Sequence, residues 1–566
     1  MRNAMVLCLC VGLNAGLFAA EFPRKKLIAT GWDQPDDKRL AENIELMEKR
    51  PFDGVVIQLD GTTDDGKACP LNQTFSNQPW KQEWFAENAK RLASIRFRRF
   101  TDNFVIVGAN PGDVDWFDDA GWAAIVEHWR IAAWLAKQSG RTIKGILFDP
   151  EPYNEPYVIF TYGAKPQRQE VPFVEYSAKV RQRGREVMTA VAKEYPDITI
   201  LCFFLGTYVG QPAETSDPQQ AMANAHYGLL PAFLDGWLDA APPTVKIVDG
   251  CEAAYRFNSE QSFLEAAVKI KGIYQRLVSP ENRAKYRAQV QAGFGIYLDA
   301  HTNPKDSPWY IDPIGGTRSD RLRANVTTAL AVADEYVWIY GEKYRWWTTP
   351  NGGVKPESWP DVLPGCDRIL GFAGDPAGFA DSRIRALKAA GTFVNLAQNP
   401  NFDLDKLSIN GAEQQYKEGN PPLGFGSWQA ENSKGTFTWD RKGGQGSSGA
   451  ALASGVLQGC FIQSHPAKPD ETYAVHVKWR TQGQLARASV TIRWKDAQSR
   501  WTNEMLDHHL PPSPSRVVLG LEWQEILGTF RVPDGAAEIV ILLNSSGSMS
   551  PEDKVWFDDL ELIRLD

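Results

Sequence analysis

The sequence predicts an α/β chain: a (β/α)8 barrel of the TIM type over residues 21–394, then an all-β sandwich over 395–566. Three observations carry this expectation. Eight short, nearly continuous apolar runs alternate with amphipathic stretches between residues 27 and 342, the pattern of a parallel sheet covered on both faces. No GxGxxG or P-loop follows any of these runs, which removes the support for a doubly wound nucleotide-binding sheet. From about residue 395 helical periodicity stops, and short alternating runs separated by Gly- and Ser-rich turns replace it.

The elements follow in order. Residues 1–20, MRNAMVLCLCVGLNAGLFAA, put one arginine ahead of an apolar run that ends in small residues. That is the layout of a secretory signal and implies a secreted or periplasmic protein. The strand candidates are LIATGWD (27–33), GVVIQLD (54–60), NFVIVGAN (103–110), GILFDPE (145–151), TILCFFLG (199–206), VKIVDGCE (245–252), QAGFGIYLD (291–299) and YVWIYGE (336–342). Helices are expected between them at 38–49, 81–98, 119–138, 173–194, 218–239, 260–286 and 320–334, with a closing one near 379–391. Leu40, Ile44 and Met47 illustrate the helical spacing. The sandwich strands include GTFTWDR, YAVHVKWR, ASVTIRW, EIVILLN and VWFDDLELI.

Composition narrows the partners. A net charge of −8 without a basic block argues against nucleic acid or an anionic membrane surface. Beyond the leader no run reaches the roughly 18 apolar residues of a membrane span. Of seven cysteines, two lie in the leader and no CxxC occurs; Cys202 and Cys251 sit in apolar runs and read as core. Twenty tryptophans suit a protein that stacks sugar rings on aromatic faces.

A barrel of this type builds its site at the C-terminal strand ends. Here those ends are acidic: Asp33, Asp60, Asp149 with Glu151, Asp249 with Glu252, Asp299 and Glu342. In GILFDPEPY the carboxyls of Asp149 and Glu151 stand two residues apart, so an extended backbone aims both at one face. Pro150 and Pro152 end the strand there. Carboxylates sharing a mouth repel one another, which raises a pKa toward the range a general acid needs. Beside them in sequence stand Trp32, Tyr153, Tyr255, Arg256, Tyr297, His301, Trp338, Tyr340, Arg345, Trp346 and Trp347, candidates for holding a sugar. The histidines have no HxH or HExxH spacing, so a catalytic metal or other cofactor is not expected. No GxSxG elbow supports a serine esterase.

On these residues the chain resembles secreted (β/α)8 glycoside hydrolases carrying a sugar-binding module. The resemblance implies an oligo- or polysaccharide substrate and an acid/base Glu at the end of the fourth strand, where Glu151 stands. It implies a nucleophile at the end of the seventh, where the chain has Asp299; the eighth offers Glu342, and both stay open. Retaining and inverting action also stay open, being separated by carboxyl spacings of about 5 Å and about 6.5–9.5 Å. Residues 395–403, NLAQNPNFD, and 556–562, WFDDLEL, resemble the opening and closing strands of jelly-roll carbohydrate-binding modules. That resemblance implies a structural calcium at Asp403 with Asp558 or Asp559. Two other readings remain: a sialidase-like enzyme whose Arg256, Arg345, Arg318, Arg321 and Arg323 clamp a carboxylate, and a glycan-binding protein without catalysis.

Overall fold

The computed structural model describes residues 24–153, 158–314, 317–347, 349, 353–409, 411–483, 485–510, 522–548 and 550–565. The expected signal segment, 1–20, lies outside the described residues. Two compact units divide at Gly374/Asp375.

The first unit is a parallel barrel. Its strands are β1 (Lys26–Gly31), β2 (Gly54–Ile57), β3 (Asn103–Gly108), β4 (Ile143–Asp149), β5 (Thr199–Cys202) and β6 (Lys246–Asp249). They continue with β7, in two pieces (Val290–Ala292 and Phe294–Tyr297), and β8 (Tyr336–Gly341). Sheet order runs β8-β1-β2-β3-β4-β5-β6. The first piece of β7 pairs with β6 and the second with β8, so one strand broken at Gly293 closes the ring. The alternate residues fill the interior: Val56, Phe104, Leu147, Leu201 and Val248 are all fully buried, and Phe104 meets Tyr336 of β8 at 5.4 Å.

Several elements are shorter than the sequence predicts. β2 stops at Ile57, and Asp60 instead opens a small hairpin, Asp60–Thr62 with Ala68–Pro70. The helix expected at 218–239 is two, Pro218–Asn224 and Leu230–Ala240, because Tyr227 between them adopts a positive φ of 59° that no helix contains. The helix expected at 260–286 breaks into Glu260–Val268 and Arg283–Gln289 across a π and two 3-10 turns, the last opened by Pro280, which has no N–H to donate.

The second unit is a sandwich of two five-stranded antiparallel sheets. The strands are β9 (Gly426–Gln429), β10 (Thr436–Asp440), β11 (Ala450–Ser454), β12 (Gln458–Pro466) and β13 (Thr472–Gln482). The rest are β14 (Arg487–Lys495), β15 (His508–Leu510), β16 (Gln524–Arg531), β17 (Glu538–Ser546) and β18 (Lys554–Arg564). One sheet is β9-β12-β17-β14-β15 and the other β10-β11-β18-β13-β16. The inward positions of both, such as Phe461, Val490, Ile541, Val475 and Phe557, meet in one core. The helix expected to close the barrel spans Pro376–Ala389 and belongs to this unit, burying Ala380 and Ile384 against Ala474, Ile563 and Leu565.

Cys69, Cys202, Cys251, Cys366 and Cys460 are all buried free thiols. Among the described residues no helix is long and apolar enough to cross a membrane.

Candidate active site

The C-terminal ends of the barrel strands turn their acids in two directions. Asp33, Asp249 and Asp299 turn inward and hold backbone. Asp33 accepts from Arg39 Nη2 at 2.8 Å and from the Trp346 N–H at 2.7 Å, tying the loop after β1 to the loop after β8. Asp249, fully buried, accepts from the N–H groups of Leu205, Thr207 and Cys251 and from Thr207 Oγ1 at 2.6 Å. Asp299, also fully buried, accepts the Glu342 N–H at 2.8 Å, with Lys343 Nζ at 3.9 Å. These three hold the loops after β1, β5 and β8 in place.

Asp149, Glu151, Glu252 and Glu342 face the mouth. The strand ends at Asp149, where the Glu151 N–H donates to Asp149 Oδ1 at 3.0 Å and the Tyr153 hydroxyl donates to Asp149 Oδ2 at 2.8 Å. The backbone N–H of Tyr153 is held in turn by Asn110 Oδ1 at 2.7 Å. Burial pushes the Asp149 carboxyl up to about 7. Burial also raises Glu151, offset in part by the Tyr153 hydroxyl and by His226.

Glu252 is delivered by a tight turn after β6. At Gly250 a Cβ would sit 2.2 Å from the Cys202 carbonyl, so only glycine fits, and Cys251 holds a left-handed φ of 45°. Burial, then the charges of Asp149, Glu151 and Glu342, push the Glu252 carboxyl up to about 8. Four carboxyls from β4, β6 and β8 therefore share one field. Glu342 takes a hydrogen bond from the Tyr297 hydroxyl at 2.8 Å.

Asp149 and Glu252 stay protonated while the unfolded chain, with ordinary carboxyls at 3.8 and 4.5, has ionised. The fold holds more protons than the unfolded chain between about pH 4 and pH 8, so stability is greatest below that window and falls as pH rises through it. Thermal melting followed across this range is expected to drop toward pH 8, and Glu252→Gln to flatten the upper part of the slope. A melting temperature that rises from pH 5 to pH 8 by an amount Glu252→Gln leaves unchanged would refute this.

Beside the acids lies a cavity of about 380 Å³, reached from the ends of β1, β2, β3, β4, β5 and β8. Asp149 and Tyr153 form its boundary with the acid cluster, and Trp32, Phe203 and Tyr340 supply aromatic walls. Trp32, 58% exposed, is thrown outward at the end of β1, where Gly31 (φ 110°) passes so close to Gly341 that a Cβ would lie 2.1 Å from its carbonyl. On the other side of the acids, Tyr255 stacks on Tyr297 and Tyr340 with centroids 5.0 and 5.8 Å apart, and Arg256 lies 4.3 Å over Trp309.

Other expected site residues are structural. Trp346 is 2% exposed and packs edge-on against Phe52 at 4.9 Å, so it offers no face to a ligand; Trp347 is buried likewise. Trp346→Ala is expected to cost the barrel about 3–5 kcal/mol; a denaturation midpoint equal to that of the unaltered protein would contradict this packing role. His301 is buried, and burial followed by the Arg321 charge lowers its imidazole to about 3. Arg345 donates through Nε to the Pro356 carbonyl, Arg318 to the Thr302 carbonyl and Arg321 to Asn325 Oδ1. With Arg256 on Trp309, these guanidiniums are engaged separately and form no carboxylate fork.

In the sandwich, Asp558 is buried and accepts from the Gln445 N–H, Ser448 Oγ and the Asp559 N–H, while Asp403 accepts the Gly449 N–H at 2.6 Å. Both tether the loop 444–449. Among the described residues no three Asp, Glu, His or Cys side chains gather as metal ligands.

The sequence reading missed the amides that line the cavity, Gln34, Gln58, Asn72 and Asn110. It also missed Tyr208, His226 and Tyr227, an aromatic group beside Glu151 in the loop after β5. Gln58 and Asn110 stand directly after strands, a signal that was present; Tyr227 announced itself only through its backbone.

No protein-family model matches the chain, and no curated protein matches it. Solved structures with local likeness include the enzymatically active domain of tailspike protein 4 of bacteriophage CBA120, at 14% identity over 30% of this chain and 21% of that one, TM-score 0.23. The CBM22-1–GH10 modules of a Clostridium thermocellum endo-1,4-β-D-xylanase match at 15% identity over 30% of this chain and 28% of that one, TM-score 0.21. A CBM22-1 xylan-binding domain from Paenibacillus barcinonensis matches at 10% identity over 26% of this chain and 90% of that one, TM-score 0.21. The chain thus spans about a fifth to under a third of the first two structures.

Proposed function

We propose that the protein is a glycoside hydrolase acting on an oligo- or polysaccharide, with Glu151 as the proton donor to the departing glycosidic oxygen and Glu342 as its partner, nucleophile or base for water. The observation that supports this is the convergence of Asp149, Glu151, Glu252 and Glu342 beside a cavity of sugar size. Glycosidic cleavage needs one protonated and one ionised carboxyl on opposite sides of the bond. Burial raises the Glu151 carboxyl, as a proton donor needs, and pushes Glu252 up to about 8, while the Tyr297 hydroxyl donates to Glu342. Asp149 orients: both its oxygens are occupied by Glu151 and Tyr153. Glu252, protonated, donates a hydrogen bond to the sugar. The leader at 1–20 supports action outside the cytoplasm, and Trp428, 52% exposed on the edge strand β9, supports a glycan contact on the sandwich. Incubation with a panel of plant and host glycans, with released sugars identified by mass, tests the reading. Binding without any released sugar would leave a glycan-binding protein and remove the enzyme.

A further inference from the structure

Building on that reading of the barrel mouth, we infer that the cavity beside Asp149 seats one uncharged, hydroxyl-rich sugar ring at a chain end and rejects uronate and sialate rings. The amides carry the inference. Gln58 and Asn72 are half-buried against the cavity, and neither side chain is hydrogen-bonded to another described residue. Both amides border the cavity and can exchange water for a ligand. An amide presents donors and an acceptor together, the complement of a sugar hydroxyl, which is also both. Gln34 and Asn110 continue this surface on the loops after β1 and β3.

The charges point the same way. None of the described lining residues is Lys, Arg or His, so no cation waits for a carboxylate. Asp149 lines the cavity, and Glu151 stands two residues on. A ring carboxylate would be desolvated here with no cation to pair it. The walls are Trp32 and Tyr340, faces for an apolar ring surface. The volume, about 380 Å³, lies toward the lower end of the ~300–1,000 Å³ common for small-molecule sites, which suits a chain end better than a run of chain.

Calorimetric titration of the unaltered full chain, with the glycosidic oxygen of each ligand replaced by sulfur to resist cleavage, tests this. The ligands are methyl glycosides of neutral hexoses and pentoses, of glucuronic and galacturonic acids, and of sialic acid. A neutral glycoside is expected to bind, with acidic ones at least about tenfold weaker. Gln58→Leu and Asn72→Leu are each expected to weaken the neutral ligand about 3- to 10-fold, the loss of a neutral hydrogen bond, with melting curves unchanged. Acidic glycosides binding as tightly as neutral ones, full affinity in both leucine variants, or binding by none of the sugars would each overturn the inference. The two readings separate cleanly. Neutral binding with no hydrolysis by the unaltered protein sinks the hydrolase and keeps the pocket; hydrolysis of acidic glycosides alone does the reverse.

Discussion

Glu151→Gln is expected to lower turnover by about 10²–10⁴-fold, the usual worth of a general acid, while the barrel melts as before. Glutamine keeps the shape and the backbone N–H that Asp149 accepts, and removes only the transferable proton. The loss depends on the leaving group. A substrate whose leaving group departs without a proton, such as a dinitrophenyl glycoside, is expected to recover much of the rate, because protonation no longer limits its cleavage. An equal loss on both substrate types would show that Glu151 serves structure or binding, and near-normal turnover on natural glycans would remove it from the chemistry. The pH profile adds a second readout: a limb reporting Glu151 protonation disappears in the variant.

The second large effect concerns the partner. Glu342→Gln is expected to cost a similar ~10²–10⁴-fold, whereas Asp299→Asn is expected to cost no more than about tenfold. The reason is geometric. Asp299 is enclosed and its Oδ2 holds the Glu342 N–H; asparagine retains an oxygen there, so the loop after β8 stays in place. Glu342 itself is partly exposed, with one oxygen held by the Tyr297 hydroxyl. Kinetics on the two variants decide the assignment: a loss in Asp299→Asn as deep as that in Glu342→Gln would move the reacting carboxylate to the end of β7.

The barrel was legible in the sequence because eight apolar runs leave little other use for them, and β4 was legible because Pro150 and Pro152 mark its exit. Which strand-end acids reach the mouth was not. Asp33 is spent on a backbone N–H 313 residues away, and Asp249 on loops after β5, partners that no local pattern contains. The same holds for Trp346, whose neighbours Phe52 and Asp33 arrive only when the ring closes. Amides escaped notice because Gln and Asn carry no charge to count, although Gln58 and Asn110 stand where the acids were sought. Helix 218–239 was overextended because its residues suit a helix; the turn at Tyr227 is imposed by packing against Phe204 and Tyr208.

The five buried thiols carry a consequence for how this chain is made. Neither unit draws cohesion from a sulfur–sulfur bond among these cysteines, so electron acceptors play no part in reaching the folded state. Folding of the two described units is thereby independent of whether their compartment is reducing or oxidising.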